Sequence, residues 1–236
     1  MPLPFFYNEE IPAGTTLLTL DENTAKHVVQ VLRMQPGEQL QLTNGKGNLF
    51  TAEISGINKK RCEVKIKEAG YKLQAGRKIA IAISLIKNNS RFEWFLEKAT
   101  EIGIAEIIPL LCSRTEKQHF RYDRMKTILI SAMLQSQQCW LPALHEPIFF
   151  FDFVNTATQQ QKFIAHCADE SSKKQLTTQL INQSSNQLIL IGPEGDFTAT
   201  EIKAAIENNF IPVALGDTRL RTETAGIVAA TLLQNG

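Results

Sequence analysis

The chain has 236 residues, 43% of them hydrophobic and 21% charged, and its Lys and Arg outnumber Asp and Glu by one. That is the make-up of an ordinary globular protein, long enough to bury a core in one large domain or two modest ones. No apolar window approaches the length of a bilayer-crossing helix, and the start MPLPFFYNEEIPAG lacks the basic and apolar regions of a signal or transit peptide, so a cytoplasmic protein with no membrane partner is expected.

The four cysteines, Cys62, Cys112, Cys139 and Cys167, form no C-x-x-C pair and have no nearby histidine spacing. Reduced thiols and no metal site are expected. Charge is uneven along the chain. Residues 1–78 carry eleven basic against eight acidic residues, 79–140 eight against six, and 141–236 six against ten. A polyanionic partner therefore belongs with the first 140 residues, although a solvated surface gives so mild a bias as readily.

In chain order, TTLLTL predicts a strand, and Asp21 caps a short helix, ENTAKHVVQVLR, ended by MQPGE. EQLQLTN and NLFTAEI are strands joined across Gly45 to Gly47, and KKRCEVKIKEA alternates around Cys62, Val64 and Ile66. Several short strands and one short helix predict a small β-barrel domain over residues 1–72, with YKLQAGRK as linker to a second domain, 73–236.

From Ile79 strands and helices alternate. KIAIAISLI is a buried strand, SRFEWFLEKATEIG an amphipathic helix closed by Gly103, AEIIPLL a strand, and RYDRMKTILISAMLQSQ a longer helix. KFIAHC reads as strand, KKQLTTQLINQ as helix, QLILIG as strand, TATEIKAAIENN as helix, IPVAL as strand and TETAGIVAATLLQ as the last helix. This order predicts an α/β fold with a mostly parallel sheet covered on both faces.

Ligands of such sheets bind outside the carboxyl ends of the strands. Two corners fall there: Gly192 to Gly195 after LILI, and Gly216 after VAL. Neither matches a P-loop nor a G-x-G-x-x-G fingerprint. Corners that bring bare backbone close to a ligand, without clustered lysines, suit a nucleoside-like ligand held by main-chain groups and apolar walls. Alone, GPEGD reads first as a tight turn with Pro second and Gly fourth. The second corner adds Arg219 and Arg221 at a helix start, where they oppose the helix dipole and so point to something negative.

LILIGPEGDFTATEI followed by VALGDTRLRTETAGIVAATLL closely resembles the C-terminal signature of the RsmE family of ribosomal RNA methyltransferases, members of the SPOUT class. HVVQVLRMQPGEQL with NGKGNLFTAEI resembles that family's PUA-like RNA-binding barrel, FLEKATEIGIAEIIPLLCSRTE its first helix-to-strand unit, and QSQQCWLP its mid-domain motif. The resemblance implies a SPOUT-type α/β fold with a C-terminal trefoil knot, which periodicity alone would never suggest. It implies S-adenosyl-L-methionine as cofactor, bound in the knot. It also implies 16S ribosomal RNA or the small ribosomal subunit as partner, and a homodimer that completes the site.

By the same resemblance, Gly192, Glu194, Gly195, Leu215, Gly216, Leu220 and Thr222 contact the cofactor. Arg221, Glu223 and Thr224 lie where cofactor, substrate and dimer partner meet. Three positions depart from the family pattern: Asp196 replaces a glycine, Thr218 replaces an arginine with Arg219 one place later, and Gln138 replaces the arginine of the mid-domain motif.

The implied reaction methylates ring nitrogen 3 of a uridine near the decoding site. That nitrogen carries a proton in neutral uracil, so the enzyme must remove it or stabilise the anion, then align nitrogen and sulfonium. An arginine can stabilise charge on the flanking carbonyls but cannot be the base. Arg221 is the first candidate stabiliser and Arg91 the second. Glu223 either positions a group or accepts the proton, or is simply a carboxylate in the first turn of a helix. Arg114, Lys117, Arg121 and Arg124, interleaved with His119, Phe120 and Tyr122, suit RNA or a solvated face, and Lys59, Lys60 and Arg61 form a weaker RNA-binding patch. His166 and Cys167 sit at a strand end near the expected cofactor and read as packing residues. A non-catalytic RNA-binding or ribosome-assembly factor on the same scaffold is the alternative, resting on the altered arginine positions.

Overall fold

The computed structural model describes residues 3–12, 14–58, 61–74, 76–116, 118–168, 173–180 and 186–236. Packing divides the chain into two units, Met1–Gln74 with Met133–Leu141, and Ala75–Ala132 with Pro142–Gly236.

The first unit begins with β1 (Phe5–Tyr7), β2 (Leu17–Thr19) and α1 (Glu22–Lys26), then continues with β3 (Gln39–Thr43), β4 (Asn48–Asn58) and β5 (Arg61–Tyr71). These form a five-stranded sheet in the order β1-β3-β4-β5-β2, antiparallel except for the β1–β3 pair. Asp21 caps α1 as expected, accepting from the amides of Asn23 and Thr24, both at 3.0 Å. The helix then widens into a π turn over His27–Val31 and stops at Arg33, which adopts a left-handed φ of 54°. The strands are not all short. β4 and β5 each run eleven residues and bend at two register shifts, so one long twisted hairpin forms much of the sheet. Leu40, Leu42, Ala52, Ile54, Cys62 and Val64 fill its core. Segment 139–141 belongs here too: Leu141 N–H donates to Gly45 O at 2.9 Å, and Gly47 N–H donates to Cys139 O at 2.8 Å.

The second unit comprises β6 (Lys78–Ser84), α2 (Asn89–Ile102), β7 (Glu106–Leu111), α3 (Tyr122–Gln135, which crosses into the first unit at its end), β8 (Ala143–Leu144), β9 (Ile148–Phe149), α4 (Phe150–Thr156), β10 (Gln161–Ala165), β11 (Lys174–Gln175), α5 (Leu176–Gln179), β12 (Asn186–Ile191), α6 (Ala199–Glu207), β13 (Ile211–Ala214) and α7 (Thr222–Asn235). The sheet order is β11-β13-β10-β12-β6-β7-β8, with β9 also on β7, and every pairing is parallel. Ala80, Ala82, Leu188 and Leu190 pack with α4 and α6, while the neighbouring Ile83 meets Phe95 of α2 and Gly226 of α7. Helices thus cover both faces, as parallel strands require.

Among the elements of the second unit the sequence reading falls short in two places. KKQLTTQLINQ is not one helix: a two-residue strand pairing β13 precedes a four-residue helix, because its first residues supply the sheet edge. Residues 143–156, unassigned from sequence, hold β8, β9 and α4.

Candidate active site

Strands β10, β12 and β13 are neighbours, and their carboxyl ends open together into a cavity of about 650 Å³. His166 and Cys167 close one side, Gly192 to Glu194 a second, and Leu215 to Thr222 a third. That volume lies within the range of small-molecule sites. Lys173, Arg219 and Arg221 line its wall together with Glu194, Asp196 and Asp217, so its formal charges balance. Gly216 has φ 140°, and a Cβ there would meet nothing within 4 Å. The corner therefore needs glycine for its backbone conformation, and its open side is free for a ligand.

Of the residues proposed for cofactor contact, Gly192, Glu194, Leu215, Gly216, Leu220 and Thr222 line this cavity. Gly195 does not. Its carbonyl accepts from Arg114 Nη1 at 2.5 Å, and it borders an adjoining cavity with Arg114, Lys203 and Arg219. Glu194 also receives the Lys87 amide at 3.1 Å, joining the corner to the loop between β6 and α2. At Gly192 a Cβ would lie 3.1 Å from the Phe197 ring, so that glycine serves internal packing.

The first corner is a turn, but one residue later than expected: Asp196 N–H donates to Pro193 O at 2.9 Å, which puts Pro first. Asp196 has a left-handed φ of 64°. Its carboxylate accepts from the amides of Phe197 and Cys167, both at 2.8 Å. Next to it, buried Glu201 accepts from Ser113 N–H and from the amide and hydroxyl of Thr198, each at 2.8 Å. This capping box starts α6 and holds the loop that carries Arg114.

Arg221 is the N-cap of α7 and lines the cavity with an exposed side chain. Glu223 and Arg91 are brought together instead. Arg91 Nε lies 3.6 Å from Glu223 Oε1, and the carboxylate is buried in the first turn of α7. Glu223 Oε2 has no hydrogen-bond partner among the described residues. His166 and Cys167, read as packing residues, form part of the wall; their place at the end of β10 was the signal for it. Lys173 gave no signal, because it belongs to no motif, and Asp217 stands inside the C-terminal signature without having been singled out.

Among the RNA-binding candidates, Lys59, Lys60 and Lys117 lie outside the described residues. Arg61 is exposed at the start of β5 and Arg121 is exposed just before α3. Arg124 is committed to Glu93 by two bonds, 2.5 and 2.8 Å, which hold the Glu93 carboxyl below its ordinary range. Phe120 and Tyr122 pack edge to face, and Phe120 also meets Phe92, so these rings form a cluster of their own. Gln138 donates to Ser136 Oγ at 3.0 Å, and Thr218 lines the cavity. All four cysteines are unpaired, burial pushes Cys112 up to about 12, and the described residues contain no group of side chains able to hold a metal. No described helix is long and apolar enough to cross a membrane.

Two family models match, an RNA methyltransferase domain over residues 73–234 and an RNA methyltransferase PUA domain over residues 20–67. The ribosomal RNA small subunit methyltransferase E of Rickettsia conorii is 27% identical over 226 residues, covering 95% of this chain and 91% of that one. The crystal structure of a probable rRNA-methyltransferase from Porphyromonas gingivalis superposes with a TM-score of 0.89 at 36% identity, covering 98% of both chains. That of a ribosomal RNA small subunit methyltransferase E from Neisseria gonorrhoeae, bound to S-adenosyl methionine, gives 0.88 at 28% identity over 99% of this chain and 97% of that one.

Proposed function

The chain belongs to the ribosomal RNA small subunit methyltransferase E family, and on that premise we propose that it methylates ring nitrogen 3 of a uridine in 16S ribosomal RNA near the decoding site, using S-adenosyl-L-methionine. The cavity at the ends of β10, β12 and β13 carries this reading. Its size, its balanced walls and the open side of Gly216 fit a zwitterionic sulfonium nucleoside. When bound, that group supplies an electrophilic methyl carbon.

The protein's own part is to hold the base and its charge. Arg221, at the cavity wall, stabilises the negative charge that collects on the uracil carbonyls as the ring proton leaves. Arg91 and Glu223 act as a pair that fixes the first turn of α7, from which Arg221 projects. Residues 1–72 serve as the RNA-binding domain and residues 73–236 as the catalytic domain. The C-terminal segment forms the knot, and the protein works as a cytoplasmic homodimer.

Calorimetric titration with S-adenosyl-L-methionine tests the cavity, and methyl transfer to small-subunit RNA from a strain lacking the enzyme tests the reaction. Arg221→Ala is expected to lower turnover at least about 100-fold while the cofactor Kd changes only a few-fold. Absence of cofactor binding in the wild type would turn the reading into a non-catalytic RNA-binding or ribosome-assembly factor. Full turnover by the variant would remove Arg221 from the mechanism.

A further inference from the structure

The first unit presents an aromatic surface built from residues other than the RNA-binding candidates. Tyr71, the last residue of β5, is 58% exposed although it is an aromatic side chain at a strand end. It meets Trp140 edge to face, with centroids 5.9 Å apart. Trp140 is fixed on three counts. Its indole N–H donates to Lys72 O at 2.8 Å, its backbone bridges Lys46, and its ring lies against the backbone of Gly47, where a Cβ would come within 2.6 Å. Lys46, bridged to Trp140, and Lys72, next to Tyr71 in the chain, are both exposed, and Leu73 extends the apolar surface with 87% of its area exposed.

We propose that Tyr71 and Trp140, flanked by Lys46 and Lys72, form a stacking platform for unpaired bases of the RNA substrate. Trp140, held by backbone contacts, and Tyr71, packed edge to face on it, offer aromatic surface at small entropic cost, because the side chains are already ordered. Every base has a π-face, so such a platform accepts single-stranded RNA with little regard to sequence. The lysines supply the charge that the phosphates on either side of a stacked base require. An apolar protein partner is a poorer match, since two ammonium groups would have to be desolvated beside the rings. The platform rests on the RNA-methylating reading above but assigns RNA contact to residues other than the arginines around α3.

The test uses the full-length protein carrying Trp94→Phe, which leaves Trp140 as its single tryptophan. A ten-nucleotide single-stranded RNA of mixed sequence is titrated against it. Trp140 emission is expected to be quenched on saturation. Tyr71→Ala should weaken binding roughly tenfold and Tyr71→Phe should restore it, as loss and return of one stacking face require. Lys46→Ala and Lys72→Ala should each lower the slope of log affinity against log salt by about 0.7. No binding, or binding with unchanged Trp140 emission and Tyr71→Ala within twofold of its parent, overturns the platform. Methyl transfer to small-subunit RNA is measured on the same proteins. Its absence in the wild type overturns the enzymatic reading alone, because the oligonucleotide titration judges the platform without it.

Discussion

Asp196 shows how a single residue can satisfy a corner that its chemistry opposes. A left-handed φ costs an L-residue roughly 1–2 kcal/mol, a cost that glycine at this place would avoid. The space beside Gly192 is filled by Phe197 and that beside Gly195 by Arg114, so neither glycine leaves room for the corner to relax. Asp196 instead offsets its own strain, because its two oxygens take the amides of Phe197 and Cys167. The second of these bonds ties the end of β10 to the corner after β12, two walls of one cavity. Asp196→Ala, which keeps the strain and loses both bonds, should lose on the order of 2 kcal/mol in urea unfolding. Asp196→Gly, which loses the bonds but relieves the strain, should lose about 1 kcal/mol less. Both should weaken cofactor binding, since the Cys167 side of the wall is released. Equal stability of the two variants would show that the left-handed backbone costs nothing here.

At the scale of elements, α7 looks in sequence like a helix of small apolar residues, and the structure shows what the small residues permit. Gly226 lies where a Cβ would come within 2.6 Å of the Phe95 ring and 3.0 Å of Ile83, so α7 packs closely on α2 and β6. In an isolated helix, replacing glycine with alanine gains about 1 kcal/mol. Here Gly226→Ala should instead destabilise the protein by about 1–3 kcal/mol, as overpacking in a filled core does, with a correspondingly lower Tm. A raised Tm would mean that the Phe95 ring can turn aside freely. Elements with strong local signals were legible: the caps at Asp21 and Gly103, and the buried runs of β6 and β12, stand as the sequence describes them. Lys174–Gln175 was not, because two residues become a strand only through the neighbour they pair with, and pairing partners leave no periodicity in one chain. Trp140 was missed as a surface feature for the same reason, since Tyr71 lies far from it in sequence and meets it only through the fold.

For the whole molecule, the split of charge along the chain predicts that its two ligands respond differently to salt. The basic excess lies in residues 1–140, where both proposed RNA contacts fall, while the cavity sets three cations against three carboxylates. A small ligand with one net positive charge entering a balanced wall displaces few counterions, whereas RNA releases one for each phosphate neutralised. With four phosphate contacts on single-stranded RNA, raising salt from about 50 to about 200 mM should weaken binding on the order of fifty-fold. Cofactor affinity over the same range should shift by less than about twofold, since screening acts on net charge and the wall has little. Titrating both ligands in parallel across the salt series checks this, and turnover at saturating cofactor should follow the RNA curve. A cofactor affinity that fell as steeply as RNA affinity would mean that the cavity cations are not balanced by Glu194, Asp196 and Asp217. In that case Arg219 and Arg221 would have to be assigned to the cofactor, and the base would be left without its stabilising cation.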